Sequence, residues 1–173
     1  MLLKLYTSAL KDTHFTMTEQ LPDGKGGTVQ GAGEGLLVTK PAAAESQSVQ
    51  IPIGGSGSIT VLSMAIGNTI YHRKSTDPTW TSSPGRSALA SLDRALEVKL
   101  IGEETTAQGK AWHITGRDVF GNPFEIWISE KDNYPLKYTS HHTDDATADT
   151  MLFDSYNTGQ TISPPPPAQV VSG

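Results

Sequence analysis

The chain has 173 residues, with 18 Asp and Glu against 13 Lys and Arg, for a net charge of -5. That length suits one domain, able to bury roughly 70% of the surface an unfolded chain exposes. The basic residues are scattered, with no stripe to neutralise phosphates, so a nucleic-acid partner is disfavoured. The absence of cysteine excludes disulfides, zinc-thiolate sites and thiol nucleophiles.

Charged residues make up 18% of the chain, below the usual ~25%. Gly, Ser and Thr fill the difference, a composition of strands and turns rather than of helical bundles. No run of about 18 apolar residues occurs, so no helical membrane span is expected. MLLKLYTSAL lacks the basic flank and long apolar run of a signal peptide. Met1 is therefore either a natural start or the start of a chain trimmed of its export signal.

In chain order, LLKLYTSALKD places Leu2, Leu3, Leu5 (or Tyr6), Ala9 and Leu10 at helical spacing and predicts a short amphipathic helix. Alternation of period 2 follows in HFTMTEQ, and PDGKGG marks a hairpin turn. TVQGAGEGLLVTK reads as a glycine-rich strand, where interior glycines signal bulges or strong curvature. SVQIPI, SITVLSMAI and NTIYHRK give three more strands, the last two joined at Gly67-Asn68. STDPTWTSSPGR is a loop by composition, with Trp80 inside it.

RSALASLDRAL carries Leu89, Leu92 and Leu96 at i, i+3 and i+7, predicting a second helix. Five strands then follow: EVKLIGEETTA, KAWHITGRD, PFEIWISEK, YPLKYTSHHT and ADTMLFDSYN. Their turns fall at Gln108-Gly109, Gly121-Asn122 and Asp132-Asn133. TISPPPPAQVVSG leaves as a polyproline tail expected to fray. The expected class is α+β, with an antiparallel sheet of about ten strands that must curl.

Candidate chemistry is sparse. His141-His142 followed by Asp144, Asp145 and Asp149 has metal-ligand residue types, but neighbours on a strand point to opposite faces. A solvated hairpin tip is the expectation, with no metal and no cofactor. His72 and His113 stand alone in apolar alternation and read as half-buried residues with one hydrogen bond each. No G-x-S-x-G elbow singles out a serine. The run Gly31-Ala32-Gly33-Glu34-Gly35 lacks the spacing and the following helix of a phosphate cradle. Glu103-Glu104 and Asp144-Asp145 read as solubilising charges. No catalytic constellation emerges.

The apolar alternation carries more. One face of a curled sheet must be covered. Either the sheet closes around its own side chains, or it leaves a cavity lined by Leu62, Met64, Ile66, Trp112, Ile114, Phe124, Ile126, Ile128 and Leu152. This choice of inward face depends on register, and a slip of one residue inverts it.

GKAWHITG, FEIWISEKDNYPLKY with Trp127 ahead of an acidic turn and Tyr134-Pro135-Leu136 opening the next strand, and FDSYNTGQTISPPPP form a pattern over residues 109 to 167. NTIYHRK followed by Trp80 extends it toward the N-terminus. The pattern resembles the LolA-like lipoprotein-carrier superfamily, closest to its cell-envelope lipoproteins of the LppX and LprG type. The resemblance implies an antiparallel half-barrel over two or more short helices. It would span residues 1–163 as one domain, with 164–173 as a proline-rich tail.

It further implies a non-catalytic carrier outside the cytoplasm, binding acyl chains of a lipid, glycolipid or lipoprotein, with donor and acceptor proteins as possible partners. That branch is usually tethered through a lipidated N-terminal cysteine, which this chain lacks. The alternative is a lipid- or lipoprotein-sensing interaction domain, as in periplasmic regulators of envelope-stress sigma factors. Those regulators carry a second domain, which favours the carrier expectation here.

Overall fold

The computed structural model describes residues 10–53, 57–142 and 147–173. Their strands build one sheet, from β1 (Asp12–Pro22), β2 (Thr28–Val38), β3 (Ala44–Ile53), β4 (Gly57–Ile66), β5 (Thr69–Lys74) and β6 (Trp80–Pro84) to β7 (Leu96–Thr106), β8 (Gly109–Arg117), β9 (Pro123–Ser129), β10 (Pro135–His141), β11 (Ala148–Tyr156) and β12 (Val170–Ser172). The sheet runs β12-β6-β5-β4-β3-β2-β1-β11-β10-β9-β8-β7. Two meanders, β1 to β6 and β7 to β11, are thus joined where β1 pairs antiparallel with β11. Only β12 against β6 is parallel.

This order dictates two long crossings. The chain leaves β6 near one edge and begins β7 at the other, so the connecting residues must cross a face. They do so on the inner face, as the 3-10 segment Leu89–Arg94, whose Leu89 and Leu92 are buried in the core. After β11 the chain returns to β6 over the outer face, where Gln160 lines a groove with His14, Glu34, Leu36 and Met64.

Register fixes which side chains face inward. Phe15 opposes Gly35 and Phe153, and Met17 opposes Gly33 and Met151. Across the other meander, Met151 opposes Tyr138, Tyr138 opposes Ile126, and Ile126 opposes Ile114. All of these non-glycine residues belong to one buried cluster that also holds Leu10, Leu37, Val49, Leu89 and Leu92. Phe15 meets Phe153 edge to face, with ring centroids 5.8 Å apart.

The curl depends on the glycines of β2. A Cβ on Gly35 would lie 2.3 Å from Phe15 Cζ, and one on Gly33 would lie 2.1 Å from the Ser48 carbonyl oxygen. Missing side chains at these inward positions let β1 and β3 close over β2. How tightly the other half winds is visible at the β7–β8 turn. There Gln108 Nε2 donates to the Phe153 carbonyl of β11 at 3.0 Å, although β10, β9 and β8 lie between in the sheet.

The sequence reading needs three corrections. The sheet has twelve strands rather than about ten, because the expected loop around Trp80 contains β6 and the expected frayed tail contains β12. These two missed strands pair with each other. The expected two or more short helices are absent among the described residues, whose helical content is two 3-10 turns, Leu89–Arg94 and Pro167–Gln169. Within the first turn Ser91 has φ -113° and ψ 15°, and Leu96, its anticipated third anchor, opens β7 with 61% exposure. The amphipathic stretch ending at Leu10 otherwise lies outside the described residues.

The tail is tied down where it starts. Asp12, only 2% exposed, accepts hydrogen bonds from Thr158 N at 2.8 Å, Thr158 Oγ1 at 2.7 Å and Gly159 N at 3.0 Å. Burial alone would raise its carboxyl, and the hydrogen bonds from Thr158, Gly159 and Gln160 outweigh it, holding the group below the usual range. The stabilisation is therefore present above the ordinary carboxyl value and is lost as pH falls through the lowered one.

Asp12→Ala is expected to destabilise the fold by about 1.5–3 kcal/mol, the range for hydrogen bonds to a charged group, and to expose residues 157–173 to protease. Urea unfolding and limited proteolysis check this, and an unchanged digestion pattern would remove Asp12 as the anchor. Gly35→Ala is expected to cost about 1–3 kcal/mol through overpacking against Phe15 and Ser46. A wild-type melting temperature would show that the curl does not need this glycine.

Candidate ligand-binding face

The sheet's inner face carries an apolar layer and, beside it, a polar cavity. Ile114, Phe124, Ile126 and Ile128, four of the residues selected from alternation, lie in the apolar layer at 0–2% exposure. Trp112 is partly buried against the same cluster. Leu62, Met64 and Ile66 lie on the opposite face. Leu62 sits in register with Ser48 and Arg73, in the row that continues to Trp80, while Val61 opposes Val49 and faces inward. Leu152 also points outward, opposite Thr16 and Lys137, and is 49% exposed.

The reason is legible afterwards. In β4 both alternating sets are largely apolar, so periodicity cannot tell the faces apart. In β11 the inward pair is Met151 and Phe153, both buried, and Leu152 lies between them. Sequence reasoning missed Tyr138, Phe15, Met17, Leu89 and Leu92 as inner-face residues. For the first three, alternation supplies the signal; the leucines carry a spacing that also fits a helix face.

The polar cavity has a volume of about 230 Å³ and is bounded by β3, β4 and β5 on one side and by β10 and β11 on the other. The Ser87 hydroxyl closes it, donating to the Glu45 carboxyl and accepting from the Ala90 backbone N–H at 2.9 Å. Opposite, Asp149 Oδ2 is met by Ser140 Oγ at 3.3 Å and His142 Nε2 at 3.1 Å. Burial is the main influence on Glu45 and pushes its carboxyl up to about 7, the Ser87 hydroxyl working against the rise and the Asp149 charge adding to it. Glu19 is likewise raised by burial and by Asp149, its partner across the β1–β11 ladder.

A second opening of about 660 Å³ lies at the far end, between the β7–β8 turn, the β9–β10 turn and the end of β11. Leu136, Phe153 and Tyr156 supply its apolar wall, and Lys110, Lys131 and Glu130 its rim. Tyr134 and Tyr156 stack at 4.8 Å at this end. The two openings therefore flank the apolar layer.

On the outer face, His113 is held by two carboxylates rather than by the single hydrogen bond expected of it. Its Nδ1 is 2.7 Å from Glu104 and its Nε2 is 2.7 Å from Glu125. The ring stacks on Trp127 at 4.4 Å, Trp127 Nε1 donates to Glu104 at 2.8 Å, and Lys137 Nζ lies 4.4 Å from the indole centroid. The network ties β7 to β8, β9 and β10. His72 is exposed and reaches Ser63 Oγ at 3.4 Å. Among the described residues no group of His, Asp and Glu is arranged to hold a metal ion.

The sequence matches no family model and no curated protein. Solved structures do resemble it. An uncharacterized conserved protein from Thermus thermophilus aligns over 99% of this chain and 97% of its own, at 15% identity and a TM-score of 0.59. LprF from Mycobacterium bovis aligns over 95% of both chains, at 11% identity and a TM-score of 0.51. A LolA superfamily protein, NE2245 from Nitrosomonas europaea, aligns over 93% of both, at 7% identity and a TM-score of 0.40. The chain thus shares the fold of LprF and of the Thermus thermophilus protein.

The raised Glu45 carboxyl has a stability consequence. The folded protein keeps a proton that the unfolded chain releases near the ordinary value of 4.5. This contribution is complete below that value and is lost as pH rises through about 7. Glu45→Gln is expected to flatten the decline in stability over that window, leaving the smaller part due to Glu19, and to melt higher than wild type at pH 8. Melting curves across pH check this; parallel curves for the two proteins would mean that Glu45 is solvated.

Proposed function

We propose that the protein is a non-catalytic carrier that holds acyl chains of a lipid, glycolipid or lipoprotein against the inner face of its sheet, outside the cytoplasm. The observation that carries this reading is the covering of that face. A curled sheet of twelve strands is lined by Ile114, Ile126, Met17, Val49 and Val61, while the described cover is the short segment carrying Leu89 and Leu92. Apolar surface arranged this way favours an apolar guest, with about 25 cal/mol gained per Å² removed from water.

The guest enters by displacing the cover. Leu89–Arg94 is a single kinked 3-10 segment, and such segments hold their shape through packing more than through their own hydrogen bonds. The opening beside Phe153 and Tyr156 is within the usual range for ligand sites and borders the apolar layer at these two residues. A carrier reading asks for no reacting groups, and the buried carboxyls then serve recognition.

Native mass spectrometry of the purified protein, followed by organic extraction, is expected to find a lipid adduct. Added acyl-chain amphiphile is expected to raise the melting temperature as RT ln(1 + [L]/Kd). Trp112→Arg, on the inner face, is expected to abolish that rise, whereas Leu152→Arg, on the outer face, leaves it intact. Neither adduct nor thermal shift would sink the carrier reading, and uptake by a folded Trp112→Arg protein would remove the inner face as the binding surface.

A further inference from the structure

The polar cavity is short of hydrogen-bond donors. Gln47 Oε1 and Asp149 Oδ1 are both buried and have no hydrogen-bond partner among the described residues, and both residues line the cavity beside Glu45. A buried acceptor left unmatched is destabilising, and more so when charged. Its neighbours offer little relief. Asp149 has already engaged Ser140 and His142 through its other oxygen. Asp118, on the same wall, is saturated by Phe120 N, Asn122 N and Asn122 Nδ2 at 2.8–3.1 Å. Arg86 lines the cavity too, but takes part in none of the ion pairs of the described residues.

We propose that this cavity is a head-group subsite for a primary ammonium group, with Gln47 Oε1 and Asp149 Oδ1 as acceptors and Glu45 as the counter-charge. The inference rests on the carrier reading and names the polar end of its cargo. A primary ammonium has three N–H donors and no acceptor, which matches three convergent acceptors. A hydroxyl offers one donor, and a quaternary ammonium offers charge with no donor. The positive charge also relieves the repulsion that Asp149 exerts on Glu45 and Glu19. The position suits the role, since Met151, the neighbour of Leu152 on the inward side, lies both in the cavity wall and in the apolar layer, so a chain held by the layer delivers its head group to the acceptors.

The test compares three amphiphiles of one chain length, dodecylamine, dodecanol and dodecyltrimethylammonium, binding to the full chain by titration calorimetry. The amine is expected to bind about tenfold or more tighter than the other two, as hydrogen bonds to charged groups would give. Asp149→Asn and Gln47→Met are each expected to bring the ratio toward one. Should one variant fail to fold, the other carries the same comparison. Equal affinities for all three ligands would overturn the subsite and leave the acyl-chain reading standing. Amine and trimethylammonium binding equally, both above the alcohol, would overturn donor recognition in favour of charge alone. Failure of all three to bind would overturn both readings.

Discussion

Among the described residues a single sheet has two apolar-capable faces and no second layer over either one, and the rest of the fold answers that constraint. Curling is the first answer, and it depends on the close approach of β1 and β3 over the glycines of β2. Winding brings β3 opposite β10 and β11, so that side chains far apart along the sheet share one interior. The two crossings then divide the remaining surface. Leu89 and Leu92 cover the inside, and the tail after Tyr156 covers part of the outside.

Much of the scaffold was legible from local chemistry. The positions of the turns followed from Gly67, Gly109, Gly121 and Asn133, all of which have positive φ in the structure. The faces of β8 and β9 were readable because Ile114, Phe124, Ile126 and Ile128 alternate with His113, Glu125, Trp127 and Ser129. β4 was not readable, since Leu62 and Val61 are equally apolar and only the partner strand decides which turns inward. Leu89 and Leu92 satisfied a helical spacing that a short 3-10 segment kinked at Ser91 satisfies as well. β6 and β12 are short and carry proline or follow it; β6 is held between β5 and β12, and β12 pairs with β6 alone.

The cavity was hidden for a different reason. Glu45, Gln47, Ser87 and Asp149 come from three separated parts of the chain, and no spacing connects them. Sequence patterns register neighbours along an element; they do not register what a curl brings together. Glu45 and Gln47, on the inward side of β3, precede the run SVQIPI that reads as a strand. Only the opposing strands turn them into a group whose carboxyl is raised and whose amide oxygen is unmatched. Apolar layer and polar cavity are thus products of one geometry, the first from alternation within strands and the second from closure between them.

The parallel pairing of β12 with β6 also constrains the order of events during synthesis. Trp80, buried at 6% and stacked beneath Arg73, sits on a strand whose ladder partner, Val170, is made only after the whole second meander. Domains fold from the N-terminus as the chain emerges, so β1 to β5 can pair while β6 still presents an unmatched edge. Non-local closures of this kind are slow. The nascent protein therefore carries an open sheet edge at β6 until β12 emerges, which makes that short strand a kinetic guard against pairing with other chains.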